Sequence, residues 1–478
     1  MNQSIARLFT VVIILFAALI AWTSRWTVFE ATRLQNDPLN KLAYFASLKV
    51  KRGRILADNG QVLAESVPGG DGTWNRKYPT GSLFSQAIGY SILDEHQHAG
   101  LEQYHAGLIG GTQRTGLSSV FGPLSTQTVG DDVDTTLDPK AQELARTELA
   151  GRVGSVVAIV PRTGAIRVLY SNPTYDNNDP FAPCHGCSQF TGATQGLYPA
   201  GSTFKVVTAT AALDSGAYTP DSTIVGNSPL TVSGVPLQND GNQSFGPISL
   251  TKALTYSVNT VFAQVAQRLG RQTLQTYMKR FGFFSTPPVD YPANQMSVSG
   301  NWLLGRHNKL LPVTSDQVDL GRLAIGQDKL LVTPLQMAMV AAGVANGGRL
   351  MAPRLTTRIV NQNGQIVQNF PPKLYSQVMK PSTAHELTGM MTDVVEEGTG
   401  QAAQLDGVKV AGKTGTASTG GFVNGQPEDD AWFIGFAPVQ DPKIAVAVTL
   451  KNIPNGFGGT YAAPIAAQVI RTLLAETQ

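Results

Sequence analysis

The sequence predicts an α+β protein: an α/β/α layered domain around one mainly antiparallel sheet, preceded by a single transmembrane helix and a small β-rich pedestal. Three observations carry this. Residues 8–24 form one uncharged apolar run. An Asp58-Asn59-Gly60 turn signal follows it, flanked by short strand-like runs. Apolar, β-branched runs then stand at both ends of residues 151–478, with a helix-compatible middle between them.

The 478 residues suffice for two or three domains. Charged residues make up 14%, below the globular average of about 25%, and the net charge is only +3. This excludes polyanion binding, nucleic acid included, as a leading function. The longest basic cluster, Lys49, Lys51, Arg52 and Arg54, reads as a solvated strand face.

In the first element, Leu8, Val11, Val12, Ile13, Ile14, Leu15, Phe16, Leu19 and Ile20 make the run apolar on every side. It is long enough to span a bilayer, with Trp22 and Trp26 suited to the headgroup level. A cleaved signal peptide is the rival. The stretch Ala21-Trp22-Thr23-Ser24-Arg25 offers no clean small-x-small cleavage site, which favours a retained anchor with residues 1–7 as a cytoplasmic tail. Charge alone does not orient it, because Arg7 faces Arg25 and Arg33 across the span.

Residues 25–150 are expected to form the pedestal. Its hairpin runs over 51–55 and 61–64, and residues 107–130, rich in Gly, Ser and Thr, read as extended or connecting chain. At Asp138-Pro139 an N-cap and a proline at the first helical position open a helix that Gly151 stops, which sets the boundary near residue 150. Cys184 and Cys187 lack the further ligands a zinc site needs, so a small disulfide loop is expected if the chain lies outside the membrane.

In residues 151–478, the runs 156–160 and 165–170 form a hairpin about Pro161-Arg162-Thr163-Gly164. Runs 408–411, 431–436 and 444–450 supply the remaining strands, and a helix over 461–475 closes the chain. The sheet joins residues about 250 positions apart, with the middle, 200–400, packed against it as helices.

Three short patterns lie in order along this domain: Ser202-Thr203-Phe204-Lys205, Ser257-Val258-Asn259 and Lys413-Thr414-Gly415-Thr416. An S-x-x-K is expected about twice by chance in such a chain, and an S-x-N about as often; K-T-G-T is expected on the order of a hundredth of a time. Their order lifts the set above noise. Ser202 opens a helix, where free N–H groups favour developing negative charge, and Lys205 follows at i+3 on the same face. To act as a base, Lys205 must be neutral at about pH 7, a shift of about 4 to 5 kcal/mol that burial can supply. Ser257 and Asn259 converge only if the chain there is extended or a tight loop. Lys413, Thr414 and Thr416 on a strand can hold a carboxylate, and Gly415 can let a substrate backbone pass close.

This set resembles the penicillin-binding proteins and serine β-lactamases, with Val258 where the usual motif has Asp. Ala324-Ile325-Gly326-Gln327, Val332-Thr333-Pro334-Leu335-Gln336, Val395-Glu396-Glu397-Gly398-Thr399-Gly400 and Ala431-Trp432-Phe433-Ile434-Gly435-Phe436 resemble the transpeptidase domain of the first group. The anchor, Arg52-Gly53-Arg54-Ile55 and Gly100-Leu101-Glu102 look like the class B, monofunctional members. The resemblance covers nearly the whole chain. It implies a β-lactamase/transpeptidase-like fold and a cell-wall D,D-transpeptidase acting on peptidoglycan stem peptides outside the cytoplasm, with no cofactor and no metal.

It further implies that Ser202 is the acylated nucleophile and Lys205 its base. Ser257 would pass a proton to the leaving group, Asn259 would bind the donor peptide, and Lys413, Thr414 and Thr416 would hold the terminal carboxylate. The N–H groups of Ser202 and Thr416 would form the oxyanion hole. β-Lactam antibiotics would acylate the same serine. No glycosyltransferase domain fits the segment before residue 150, so a membrane glycan polymerase is expected as partner. A β-lactamase of class A would need a deacylating Glu, and none occurs between Asn259 and Glu386. A D,D-carboxypeptidase stays open. One anchor with about seven residues beyond it argues against a membrane-bound β-lactam sensor, and a scaffold role is compatible with catalysis.

Overall fold

The computed structural model describes residues 3–26, 30, 45, 47–92, 97–111, 129–184, 186–423 and 425–476. Helix α1 (Gln3–Ser24) begins before Arg7, so residues 3–7 of the expected tail are part of the helix. Its segment Ile5–Ser24 is long and apolar enough to cross a membrane, and none of it is buried. Arg25 lies 6.0 and 5.9 Å from the ring centroids of Trp22 and Trp26, a cluster of amphipathic groups at the helix end.

Strands β1 (Ile55–Leu56), β2 (Val62–Pro68) and β3 (Trp74–Lys77) form a meander around the expected turn, where Asn59 Oδ1 accepts from the Gln61 N–H at 3.0 Å. Strand β4 (Asp132–Thr135) pairs parallel to β1, and β7 (Thr356–Val360) with β8 (Ile366–Asn369) extends the sheet to the order β8-β7-β4-β1-β2-β3. The last two strands come from far along the chain: Ile359 pairs with Val133. Residues expected as extended after 107 begin instead with a helical turn, Ala106–Ile109, and 112–128 lie outside the described residues.

The basic cluster is solvated at Lys49, Lys51 and Arg54, as expected, but not at Arg52. It precedes β1, and Arg52 turns inward, donating to Glu102 Oε2 at 2.9 Å while Arg76 Nε donates to Oε1 at 2.6 Å. Burial pushes the fully buried Glu102 carboxyl up, but the two guanidiniums outweigh this and hold it below its ordinary value. A single buried carboxylate needs such compensation, which draws arginine out of solvent.

Helix α2 (Pro139–Leu149) starts as expected, Asp138 Oδ1 accepting from the Ala141 N–H at 2.9 Å. The second sheet is antiparallel throughout: β9 (Ala411–Val423), β10 (Gln426–Ala437), β11 (Ile444–Pro454), β5 (Gly154–Ile159) and β6 (Ile166–Asn172), in that spatial order. Val448 pairs with Val156, closing the sheet from both ends of the chain. The run expected at 408–411 is only a lead-in, since Lys409 is held at the surface by Glu396 at 2.8 Å and pairing to β10 starts at Ala411.

Strands β10 and β11 are buried over long stretches at successive positions, so both faces are covered. Helix α7 (Gly458–Ala475) packs on β10 and β11 with α2 beside it. Helix α5 (Pro334–Ala345), buried from Pro334 to Val344, packs on β11, β5 and β10, and α6 (Pro381–Glu396) lies between it and β9. This is the layered α/β/α arrangement. The middle region also carries short ribbons, among them Gly300–Leu303 paired with Lys309–Leu311, so it is less uniformly helical than expected. Cys184 and Cys187 are joined as a disulfide, their Cα atoms 5.7 Å apart.

Candidate active site

A 3-10 turn, Gly201–Phe204, carries Ser202 into helix α3 (Lys205–Asp214). Every residue of α3 is buried, because small and apolar side chains surround the helix. Lys205, its first residue, is therefore fully buried beside Phe262, whose ring centroid lies 5.7 Å from Nζ. The turn abuts strand β9. Gly201 has φ 53°, and a Cβ there would lie 2.7 Å from the Thr416 carbonyl oxygen, so only glycine brings the nucleophile this close to the strand.

Ser257 sits in the tight loop that the spacing requires. It follows the short helix Leu250–Thr255 with φ 60°, a left-handed conformation strained for serine by about 1 to 3 kcal/mol. Val258 then caps α4 (Asn259–Leu269). Adjacent helix ends thus aim the Ser257 and Asn259 side chains at one point, the Lys205 amine.

Lys205 Nζ lies 3.0 Å from Ser202 Oγ, 3.1 Å from Ser257 Oγ, 2.6 Å from the Ser257 carbonyl and 2.7 Å from Asn259 Oδ1. The last two can only accept. Asn259 is held in that sense because its Nδ2 donates to Gln238 O at 2.9 Å. A neutral amine has two N–H bonds and one lone pair, so donation to these two acceptors leaves the lone pair for a serine hydroxyl proton. Burial, with the nearby Lys413 charge and against the pull of Asp240, holds Lys205 well below the ordinary lysine value.

Strand β9 presents Thr414 and Thr416 to the cleft, and Thr414 Oγ1 is 2.5 Å from Thr399 Oγ1. Lys413 departs from the expected clamp. It is fully buried and donates to Thr414 O and Ser257 Oγ, both at 3.0 Å, and desolvation pushes it down to about 7. Ser257 Oγ therefore lies between two amines. Gly415 also differs from the expected close approach of substrate: a Cβ there would meet Thr203 Cγ2 at 2.9 Å and Ala200 O at 3.1 Å, so its missing side chain admits the nucleophile turn.

Ser202, Ser257, Asn259, Thr414 and Thr416 line one cleft of about 550 Å³. Asp240, Tyr256, Thr399, Phe457 and Thr460 line it too and were not read as site residues from the sequence. Only Thr399 carried a signal, a threonine flanked by glycines within a string already singled out.

A buried serine–lysine pair, a second serine between two lysines and a threonine-bearing strand edge together make a site for serine acyl transfer. Comparison with known proteins agrees. The family model for the penicillin binding protein transpeptidase domain matches residues 154–471, and that for the penicillin binding protein A dimerisation domain matches 52–131. The peptidoglycan D,D-transpeptidase PbpA of Mycolicibacterium smegmatis is 32% identical over 100% of both chains, and the protein of that name from Mycobacterium tuberculosis is 32% identical over 99% of both. Among solved structures, the ceftriaxone acyl-enzyme of penicillin-binding protein A from M. tuberculosis superposes with TM-score 0.78 at 29% identity, covering 90% of this chain and 99% of that one. The D,D-transpeptidase domain of a peptidoglycan glycosyltransferase from Eggerthella lenta gives TM-score 0.76 at 30% identity, covering 90% and 99%. The chain belongs to the penicillin-binding proteins, as a class B, monofunctional member with a transpeptidase domain.

Proposed function

We propose that this penicillin-binding protein cross-links peptidoglycan stem peptides through an acyl-enzyme on Ser202. Ser202 Oγ attacks the carbonyl of the penultimate D-Ala as its proton passes to the Lys205 lone pair. The N–H groups of Ser202 and Thr416 stabilise the oxyanion. Ser257 gives its proton to the departing D-Ala nitrogen and is reprotonated from the lysines beside it. Asn259 binds the donor amide. The terminal carboxylate meets the hydroxyls of Thr414 and Thr416, while Lys413, behind them, supplies positive potential and a proton near neutral pH. β-Lactams acylate the same Ser202.

The observation that carries this reading is the Lys205 contact set, in which two fixed acceptors use both N–H bonds of a neutral amine and leave its lone pair for a serine hydroxyl, with Ser202 Oγ at 3.0 Å and Ser257 Oγ at 3.1 Å. With residues 8–24 as anchor, 25–150 as pedestal and 151–478 as catalytic domain, peptidoglycan as the substrate puts the site outside the cytoplasm. A membrane glycan polymerase would supply the strands. Labelled penicillin tests the nucleophile on the detergent-solubilised full chain: stable label on the wild type, absent from Ser202→Ala, is expected. Labelling that survives the substitution removes Ser202 from this role, and rapid release of the label means a hydrolase.

A further inference from the structure

Between strand β6 and the nucleophile turn the chain makes a long excursion, residues 173–190, with no helix or strand among its described residues. Loops of this length without secondary structure are uncommon in compact domains and generally serve a function. This one grips the N-terminal unit. Asn178 Oδ1 accepts from the Tyr78 N–H at 2.9 Å and its Nδ2 donates to Tyr78 O at 3.0 Å, while the Tyr175 hydroxyl donates to Ser85 O at 2.8 Å.

Tyr90, a buried residue of the N-terminal unit, is held by both limbs of the loop. On the outgoing limb the Phe181 ring meets it edge to face, with centroids 5.6 Å apart. On the returning limb Gln189 Oε1 accepts from its hydroxyl at 3.2 Å. The Cys184–Cys187 disulfide closes the tip just beyond these contacts, and both cysteines are exposed. Other than this bond, the limbs are tied by hydrogen bonds, from Gln189 Nε2 to Pro180 O at 2.7 Å and from the Ser188 N–H to Thr174 O at 3.1 Å.

An exposed disulfide is open to attack by a thiolate and belongs to the labile, exchanging kind. We propose that Cys184–Cys187 is a thiol–disulfide exchange site, the substrate of a small dithiol redox protein, and that its state sets how firmly the loop grips Tyr90. One thiolate of the reductant attacks an exposed Sγ, the Cys184–Cys187 bond breaks and a mixed disulfide forms. The second thiol of the reductant then displaces the cysteine. The reductant leaves as a disulfide, and its electrons and protons remain on Cys184 and Cys187 as thiols. With the tip open, Phe181 and Gln189 part more readily and Tyr90 is released.

Two other regions are fastened independently of the tip. Beyond the loop, the Ala193 N–H donates to Ser171 Oγ at 2.8 Å and the Gly201 N–H to Gly326 O at 3.0 Å, so the turn carrying Ser202 is held by its own contacts. The N-terminal unit is joined a second time where β4 pairs with β7. Reduction therefore loosens the grip while leaving acylation and the six-stranded sheet in place.

The test uses the full chain in detergent. Dithiothreitol probes the grip, reduced thioredoxin probes the exchange site, and maleimide labelling counts the thiols. On reduction, hydrogen–deuterium exchange over residues 78–92 should quicken by about tenfold, with exchange in β4 and penicillin acylation unchanged. The double variant Cys184→Ser, Cys187→Ser should show the faster exchange without reductant and no response to it; if it does not fold, the reduced wild type decides. A fully reduced wild type that exchanges at the oxidised rate over 78–92 overturns the grip, as does an equal response to reductant in the double variant. A disulfide that thioredoxin leaves intact in the folded protein overturns the exchange site. Acylation lost on reduction overturns the independence of the Ser202 turn.

Discussion

Replacing Lys205 by methionine removes the amine while keeping an unbranched side chain in the slot beside Phe262. Two effects follow from the contacts. In the folded state Ser257 O and Asn259 Oδ1 lose their donor, which costs about 1 to 3 kcal/mol for each group left unpaired. Against this, the variant no longer buries an ionisable amine, so the two terms partly cancel and the protein folds. In the acylation step Ser202 Oγ loses the amine that stands 3.0 Å from it, the one side-chain hydrogen-bond partner it has among the described residues. General-base catalysis is worth about 10²- to 10⁴-fold, equivalent to about 3 to 5.5 kcal/mol of barrier. The second-order rate constant for labelled penicillin should fall by that factor in Lys205→Met, with thermal unfolding confirming a folded protein. A folded variant that acylates within about tenfold of the wild type refutes Lys205 as the base.

Lys413 has a folded-state pKa of about 7 against 10.5 for the ordinary group. Between these values the unfolded chain binds more protons, so Lys413 lowers stability most at and below about pH 7, and the penalty fades as pH rises toward 10.5. Wild-type stability should gain up to about 1.4 kcal/mol per pH unit over that window relative to Lys413→Met; parallel melting curves across pH 7 to 10 would show the effect to be absent. In Gly201→Ala, the added Cβ against Thr416 O and the φ of 53° together cost about 1 to 3 kcal/mol. Penicillin acylation should fall more than stability predicts, because the strand and the nucleophile turn separate; an acylation rate equal to wild type contradicts this packing argument.

What the sequence showed depended on how local the signal was. Asp138-Pro139 opening a helix, the turn at Asp58-Asn59-Gly60 and the three motifs are each written within a few residues, and each took the expected form. The roles of Lys413 and Gly415 read differently in three dimensions. Their neighbours, Ser257 and Thr203, belong to the other two motifs, and a contact between motifs is written in none of them. Tyr90 gains meaning only once Phe181 and Gln189 stand beside it. Arg52 shows the same limit for charge: a basic cluster counts as solvated until the buried Glu102, fifty positions away, is known.

The six-stranded sheet carries a consequence for how the chain is made. Its strand β4 is bordered by β1 on one side and by β7 on the other, and Thr357 Oγ1 donates to Asp134 O across 223 positions. When synthesis has passed β4, the edge that β7 will occupy is still bare, with its N–H and C=O groups unpaired. It stays so until the chain through Val360 has emerged. An open strand edge of this kind is a template for pairing with a neighbouring nascent chain. The N-terminal unit therefore reaches its finished form late, and a fragment ending before β7 keeps a permanently adhesive border.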